Sequence, residues 1–295
     1  MARLKQQKKR RKWVQTSVML LTNAYIPGFF RGEIYQGKLK QICVPGLNCY
    51  SCPGALGACP MGVLQNSIAD PYQQISFYVL GFLIMVGAVM GRFVCAWLCP
   101  FGLIQEWLHK IPVRKWKPER RPALHRNLTR MKFVILAVFV ILLPWLGRML
   151  NDYGAPAFCK YICPSGTLMA GWPLVAVNDS LRTLAGWLFS WKSLVLIVLL
   201  YLSTRIMRPF CRYLCPLGAL YGLFNRISLY RVTVDWDLCT HCGACTRQCP
   251  MAVQVPEDGN TAECIRCGEC QAVCPVDAIH CGFKPASRQK EGPLA

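Results

Sequence analysis

The chain has 295 residues, is 54% hydrophobic and only 16% charged, and carries 19 cysteines. That balance argues against a wholly soluble protein and for a membrane protein with a smaller polar module. A formal charge of +20 raises nucleic-acid binding, but the charges sit between apolar segments, so no nucleic-acid partner is expected.

In chain order, residues 1–12 read as a basic cytoplasmic tail holding Arg3, Lys5, Lys8, Lys9, Arg10, Arg11 and Lys12. An apolar stretch follows from Trp13 to Phe30. No small-residue cleavage motif follows it, so it reads as a signal anchor rather than a removable signal peptide. Three more apolar stretches occur at about 75–91, 131–147 and 187–207. Each approaches the ~20 residues that cross a ~30 Å hydrocarbon core. The expected fold is therefore an α-helical membrane bundle of about four transmembrane helices over residues 13–231. Lys and Arg number 7 in the tail, 10 in residues 92–132 and 5 in 205–231, against 3 in 31–74 and 3 in 148–186. The imbalance of 22 to 6 places the first set inside. The expected location is a bacterial cytoplasmic membrane, multi-pass, with both termini cytoplasmic and lipid as a partner.

Each apolar stretch is followed by a related cysteine phrase. After the second comes Cys95-Ala-Trp-Leu-Cys99-Pro-Phe-Gly, after the third Cys159-Lys-Tyr-Ile-Cys163-Pro-Ser-Gly, and after the fourth Cys211-Arg-Tyr-Leu-Cys215-Pro-Leu-Gly. After the first comes a variant ending Cys59-Pro-Met-Gly. Proline at a first helical position pre-sets the turn, so each phrase is expected to open a short helix. Four-residue spacing is expected to put both thiols of a pair on one helix face. Residues 13–108 and 131–230 then form two like-oriented repeats about an axis along the membrane normal. Two pairs meeting on that axis supply four thiolates, enough for one cubane cluster: Cys95, Cys99, Cys211 and Cys215 at an inner site. The preferred outer set is Cys52, Cys59, Cys159 and Cys163, with Cys43 and Cys49 left over for a disulfide. A self-contained cluster at Cys43, Cys49, Cys52 and Cys59, or structural disulfides across the outer loops, stay open.

The segment 232–283 holds the run C-x2-C-x2-C-x3-C-P twice. It reads Cys239, Cys242, Cys245, Cys249-Pro250 and then Cys264, Cys267, Cys270, Cys274-Pro275. This is a bacterial two-cluster ferredoxin pattern, in which the fourth cysteine of each run ligates the other cluster. One [4Fe-4S] cluster takes Cys239, Cys242, Cys245 and Cys274; the other takes Cys264, Cys267, Cys270 and Cys249. Structural zinc also uses C-x2-C pairs, but has no use for the repeated third and fourth cysteines. The expectation is an α+β two-cluster ferredoxin domain, then a disordered tail over 284–295.

The C-x3-C-P motifs, basic loops and paired ferredoxin runs, over about residues 75–280, resemble the NapH-type and NosR-type membrane polyferredoxins. The resemblance implies electron transfer across a bacterial cytoplasmic membrane, with the NapH type linked to quinol oxidation. The sequence departs from the usual two C-x3-C-P motifs by having three plus a variant, and it holds no flavin-binding domain of the NosR type. The expected function is an iron–sulfur electron carrier, with two clusters in the ferredoxin domain and two at the membrane faces, serving redox protein partners. Alternatives are a quinol dehydrogenase subunit and a redox-sensing regulatory or assembly protein. No residue marks a catalytic site.

Overall fold

The computed structural model describes residues 2–70, 76–116, 122–151 and 154–283; the expected tail over 284–295 lies outside them. The chain starts as one helix, α1 (Ala2–Thr22). Residues 2–22 hold neither Gly nor Pro, so nothing stops the helix at the expected boundary after residue 12. The basic segment is therefore helical, and it is packed: Arg11 and Gln15 are buried.

Among the described residues, two helices are long and apolar enough to cross a membrane, against the four expected spans. They are Ala123–Leu150, with mean hydropathy 2.4, and Trp187–Arg205, with mean hydropathy 1.6. The stretch at 13–30 is split, because α1 stops at Thr22 and a separate short helix opens at Pro27. The stretch at 75–91 yields a shorter apolar helix, Phe77–Met90, and residues 71–75 lie outside the described part. In chain order we label α2 (Pro60–Ala69), α3 (Phe77–Met90), α4 (Phe93–Trp97), α5 (Pro100–Leu108), α6 (Ala123–Leu150), α7 (Ala157–Tyr161), α8 (Trp187–Arg205), α9 (Pro209–Tyr213) and α10 (Pro216–Phe224). Within α6 the turns over Leu136–Leu142 widen to a π-helix, just before Pro144. A proline inside a helix removes one N–H and crowds the carbonyl four residues back, and a π-turn relieves both. The π segment Thr167–Gly171 precedes Pro173 in the same way.

Phe77, Leu80, Ile84 and Met85 on α3, Ile141 and Leu146 on α6, and Leu194, Ile197 and Val198 on α8 are exposed. This outward apolar belt surrounds a core that contains the motif cysteines themselves.

The ferredoxin segment closes with an antiparallel pair, β1 (Arg231–Val234) against β2 (Ile279–Gly282), in the register Arg231↔Gly282 to Val234↔Ile279. Between the strands lie three short helices: α11 (Ala244–Gln248), a single turn at Val255–Asp258, and α12 (Glu269–Val273). The segment does not hang from the helical domain but is tied to it. Arg266 donates to the Met90 and Asn225 carbonyls at 3.0 and 2.7 Å. Arg92 reaches the Ala262 carbonyl at 2.5 Å, and Lys132 pairs with Glu263 at 2.5 Å. Arg11 pairs with Glu106 at 2.9 Å and Glu269 at 3.2 Å.

Candidate iron–sulfur sites

The two ferredoxin runs repeat with a 25-residue step, and so does the backbone. His241 and Arg266, Gly243 and Gly268, and Ala252 and Asp277 all take positive φ. The left-handed residues at 241 and 243, and at 266 and 268, turn the chain between the first three cysteines of each run. Cys239, Cys242 and Cys245 line one cavity together with Cys274 of the second run. In the other group, burial pushes the Cys264 thiol up to about 12, with Cys270 and Cys249 adding to the rise, so Cys249 stands with the second run. Burial and nearby Glu269 and Cys270 also raise Cys267.

The C-x3-C pairs do not lie on single helix faces, as expected from their spacing. Each straddles a helix break: Cys99, Cys163 and Cys215 are extended N-caps, and the following proline opens the next helix. A residue before proline is pushed out of the α region, so the helix carrying the first cysteine must stop. The N–H of the second cysteine then closes a wide turn, Cys99 to the Val94 carbonyl, Cys163 to Phe158 and Cys215 to Phe210 at 2.9–3.1 Å.

Cys95, Cys99, Cys211 and Cys215 are all buried. Burial pushes Cys211 up to about 12, with Cys99 and Cys95 contributing, and it raises Cys215, with Cys211 and Cys95 contributing. Reciprocal arginines frame this group. Arg92 donates to the Cys211 carbonyl at 2.8 Å, and Arg208 donates to the Cys95 carbonyl at 2.5 Å. Each stands three residues before the first cysteine of its own pair. The glycines of the motif make room for them: a Cβ on Gly102 would meet Arg208 at 3.1 Å, and one on Gly218 would meet Arg92 at 3.3 Å. Glu106 holds Arg208 at 2.8–2.9 Å. Burial opposes the Glu106 charge, but Arg208 and Arg11 outweigh it and keep the carboxyl below its usual range.

The outer group differs from expectation in one member. Cys49, Cys59, Cys159 and Cys163 line one cavity of about 390 Å³, edged by Lys160 and Lys192. Burial pushes Cys59 up to about 12, with Cys163 and Cys49 contributing. Cys52 faces away, its thiol 3.6 Å from Asn23 Oδ1. The Cys52 N–H closes a turn onto the Cys49 carbonyl at 3.1 Å, and that reversal parts the two side chains. Cys43 is buried and bridged through its backbone to Ala58. Cys43 and Cys49 are both free thiols, so the expected disulfide between them is absent. Ala55 interrupts the repeat where a cysteine belongs, and no spacing signal pointed to Cys49.

These groups form a row. Arg212, next to Cys211, donates to the carbonyl of Pro250, next to Cys249, at 2.7 Å. Trp97, between Cys95 and Cys99, donates to the Arg266 carbonyl at 3.2 Å. At the other end, a Cβ on Gly46 would sit 3.1 Å from the Cys99 Cα, and Ser165 donates to the Leu47 carbonyl at 3.4 Å. Three residues from Gly46 to Cys49 span at most about 11 Å, far less than a ~30 Å bilayer core. The inner and outer groups are therefore neighbours rather than a membrane's thickness apart, because the loop carrying Cys43 to Cys52 folds inward. Tyr221 lies between them: burial raises its phenol, with Cys95 of one group and Cys59 of the other contributing.

Comparison with known proteins follows the same map. A 4Fe-4S binding domain model matches residues 72–119, 131–175 and 186–232, and a 4Fe-4S dicluster domain model matches residues 231–275. The chain is 29% identical to the methylamine utilization ferredoxin-type protein MauN of Paracoccus denitrificans, over 64% of this chain and 63% of MauN. It is 27% identical to the regulatory protein NosR of Pseudomonas aeruginosa, over 57% of this chain and 21% of NosR. The chain is a polyferredoxin of the NapH and NosR kind. It is also 28% identical to an uncharacterized protein of Methanocaldococcus jannaschii, over 76% of this chain and 86% of that protein. No solved structure matches it.

The residues of this polyferredoxin fit 4Fe-4S clusters. Among the described residues, no three His, Cys, Asp or Glu side chains are close enough to hold one metal ion. Each group instead offers four cysteine sulfurs, the donor set that [4Fe-4S] clusters take. Backbone N–H groups already point at sulfur: Gly218 at Cys215 and Val253 at Cys249, at 3.3 and 3.4 Å. Such contacts favour thiolate.

Proposed function

We propose that this polyferredoxin is a membrane-embedded electron conduit with four [4Fe-4S] sites: two in the ferredoxin segment, then Cys95/Cys99/Cys211/Cys215, then Cys49/Cys59/Cys159/Cys163. The row formed by these cysteine groups carries the reading. Bound clusters supply one-electron storage at each station, and tunnelling weakens steeply with distance, so closely spaced stations favour passage. The chain's own part is to hold and insulate them. Buried apolar side chains keep water out, and Arg92 and Arg208 offset the negative charge of four thiolates in a low-dielectric site. The charge asymmetry of 22 to 6 supports cytoplasmic termini, with α6 and α8 crossing the membrane and the apolar end of α1 and the shorter α3 embedded beside them. A soluble redox protein exchanges electrons at the ferredoxin end, and a second redox partner meets the cavity beside Lys160 and Lys192.

The test is iron and acid-labile sulfide analysis with EPR on anaerobically purified protein. Four cubanes give about 16 iron atoms per chain. About eight iron atoms would leave the ferredoxin pair alone and sink the conduit. Reduction by quinol without any added protein would instead favour the quinol dehydrogenase reading.

A further inference from the structure

Two glutamines occupy the same place in two repeats. Gln65 and Gln105 each stand six residues after a motif cysteine, in Cys59-Pro-Met-Gly-Val-Leu-Gln65 and Cys99-Pro-Phe-Gly-Leu-Ile-Gln105. Both are fully buried. Each makes the same three contacts. Gln65 Nε2 donates to Cys159 Sγ at 3.3 Å and to the Met61 carbonyl at 3.2 Å, and its Oε1 accepts from the Phe158 N–H at 3.0 Å. Gln105 Nε2 donates to Cys211 Sγ at 3.3 Å and to the Phe101 carbonyl at 3.3 Å, and its Oε1 accepts from the Phe210 N–H at 3.1 Å.

The chemistry explains why an amide stands there. Phe158 and Phe210 lie in the first turns of α7 and α9, where backbone N–H groups lack helical acceptors. A glutamine carries an acceptor and two donors on one rigid group. Once Oε1 takes the backbone N–H, Nε2 must face the neighbouring sulfur, which fixes the orientation of the amide. Each glutamine therefore ties the helix after one Cys-Pro to the first cysteine of the opposite pair. The corresponding positions in the other two repeats are Met169 and Tyr221, neither of which carries an amide. Each site thus has one such donor.

We propose that Gln65 and Gln105 are positioning residues that also set reduction potential, each through one N–H···S bond to a cluster ligand of the outer and inner site respectively. Hydrogen bonds to cluster sulfurs are among the factors that set potential, and they stabilise the more negative, reduced state. The inference rests on the four-cluster reading of the preceding subsection.

The experiment is a redox titration followed by EPR on the full chain. It compares wild type with Gln65→Leu, Gln105→Leu and the matching Glu variants, and counts iron throughout. The Glu variants keep the acceptor for the phenylalanine N–H and lose the donor to sulfur. Wild type labelled with ¹⁵N in the glutamine side chain gives a direct readout, a weak nitrogen coupling in pulsed EPR at two centres. The expected result is that Gln105→Leu lowers one midpoint potential and Gln65→Leu another. The ferredoxin pair should not move, and the coupling at the affected centre should vanish in both the Leu and the Glu variant. Where a Leu variant loses its cluster, its Glu counterpart decides: iron retained with the coupling gone supports the proposal. Wild-type midpoints with full iron overturn it, as does a coupling that survives in the Glu variant. A wild type with only the ferredoxin iron removes the four-cluster reading and this inference together. Four clusters with unmoved potentials remove this inference alone.

Discussion

Cys49 and Cys52 stand three residues apart, and the turn between them gives them opposite surroundings. Cys49 lines the cavity with Cys59, Cys159 and Cys163, while Cys52 turns to Asn23. Cys49→Ser should therefore remove about one cluster's iron, and Cys52→Ser should leave iron unchanged. Equal losses from both would contradict the assignment, and iron analysis on the two variants decides it. Buried cations give a second expectation at this scale. Arg208 adopts φ 50 immediately before Pro209, a conformation uncommon for a residue with a side chain. Glu106 and the Cys95 carbonyl hold it there. Arg208→Met leaves Glu106 with Arg11 alone. Breaking a buried pair from one side costs about 3–5 kcal/mol, and the surviving Arg11 contact puts the expected loss at the lower end. Thermal unfolding in detergent measures it, and an unchanged melting point would show the pair to be dispensable.

At the scale of elements, the repeated phrase is a helix–break–helix device. Proline ends one helix and opens the next, the cysteine before it becomes an extended cap, and the glycine three residues on lets a partner approach. At the inner site that partner is an arginine from the opposite repeat. At the outer site Gly62 faces the Tyr50 ring and Gly166 faces Cys49. In the ferredoxin segment, Cys239, Cys242 and Cys245 instead line a cavity with Cys274 of the other run. Cys249→Ser should accordingly damage the centre held by Cys264, Cys267 and Cys270 and spare the one held by Cys239, Cys242 and Cys245. EPR spectra that lose only the latter would show the ligands to be uncrossed.

For the whole molecule, α1 joins parts that the sequence separates. It packs against α4 and α5 of the helical domain and α12 of the ferredoxin segment, and Arg11 ties Glu106 to Glu269 across that junction. In the membrane-embedded reading proposed above, a ferredoxin segment held this way shares a side of the membrane with the basic end of α1. Reporter fusions at residue 120 and at the C-terminus should thus both behave as cytoplasmic. Strong alkaline phosphatase activity from the C-terminal fusion would reverse the orientation.

What the chain determined by itself is whatever local chemistry dictates. Cysteine spacing announced the ferredoxin runs, three full C-x3-C-P phrases and a fourth variant at Cys59-Pro60, because these are short-range patterns. Proline placed the helix starts for the same reason. The apolar stretches were legible as composition, but the length of unbroken helix was not, since the turn after Thr22 and the continuation of α6 past both ends of its apolar stretch depend on neighbours. Tertiary structure alone decided the rest. Arg11, Arg92, Arg208, Arg212 and Lys132 read as topology charges in the sequence, yet they are buried, and all but Arg208 reach the ferredoxin segment, because their acceptors are carbonyls and carboxylates distant in the chain. The side that Cys49 and Cys52 each face, the nearness of the inner and outer groups and the paired glutamines also rest on contacts between residues 29 to 118 positions apart. No local pattern encodes such contacts; only the packed chain brings those residues together.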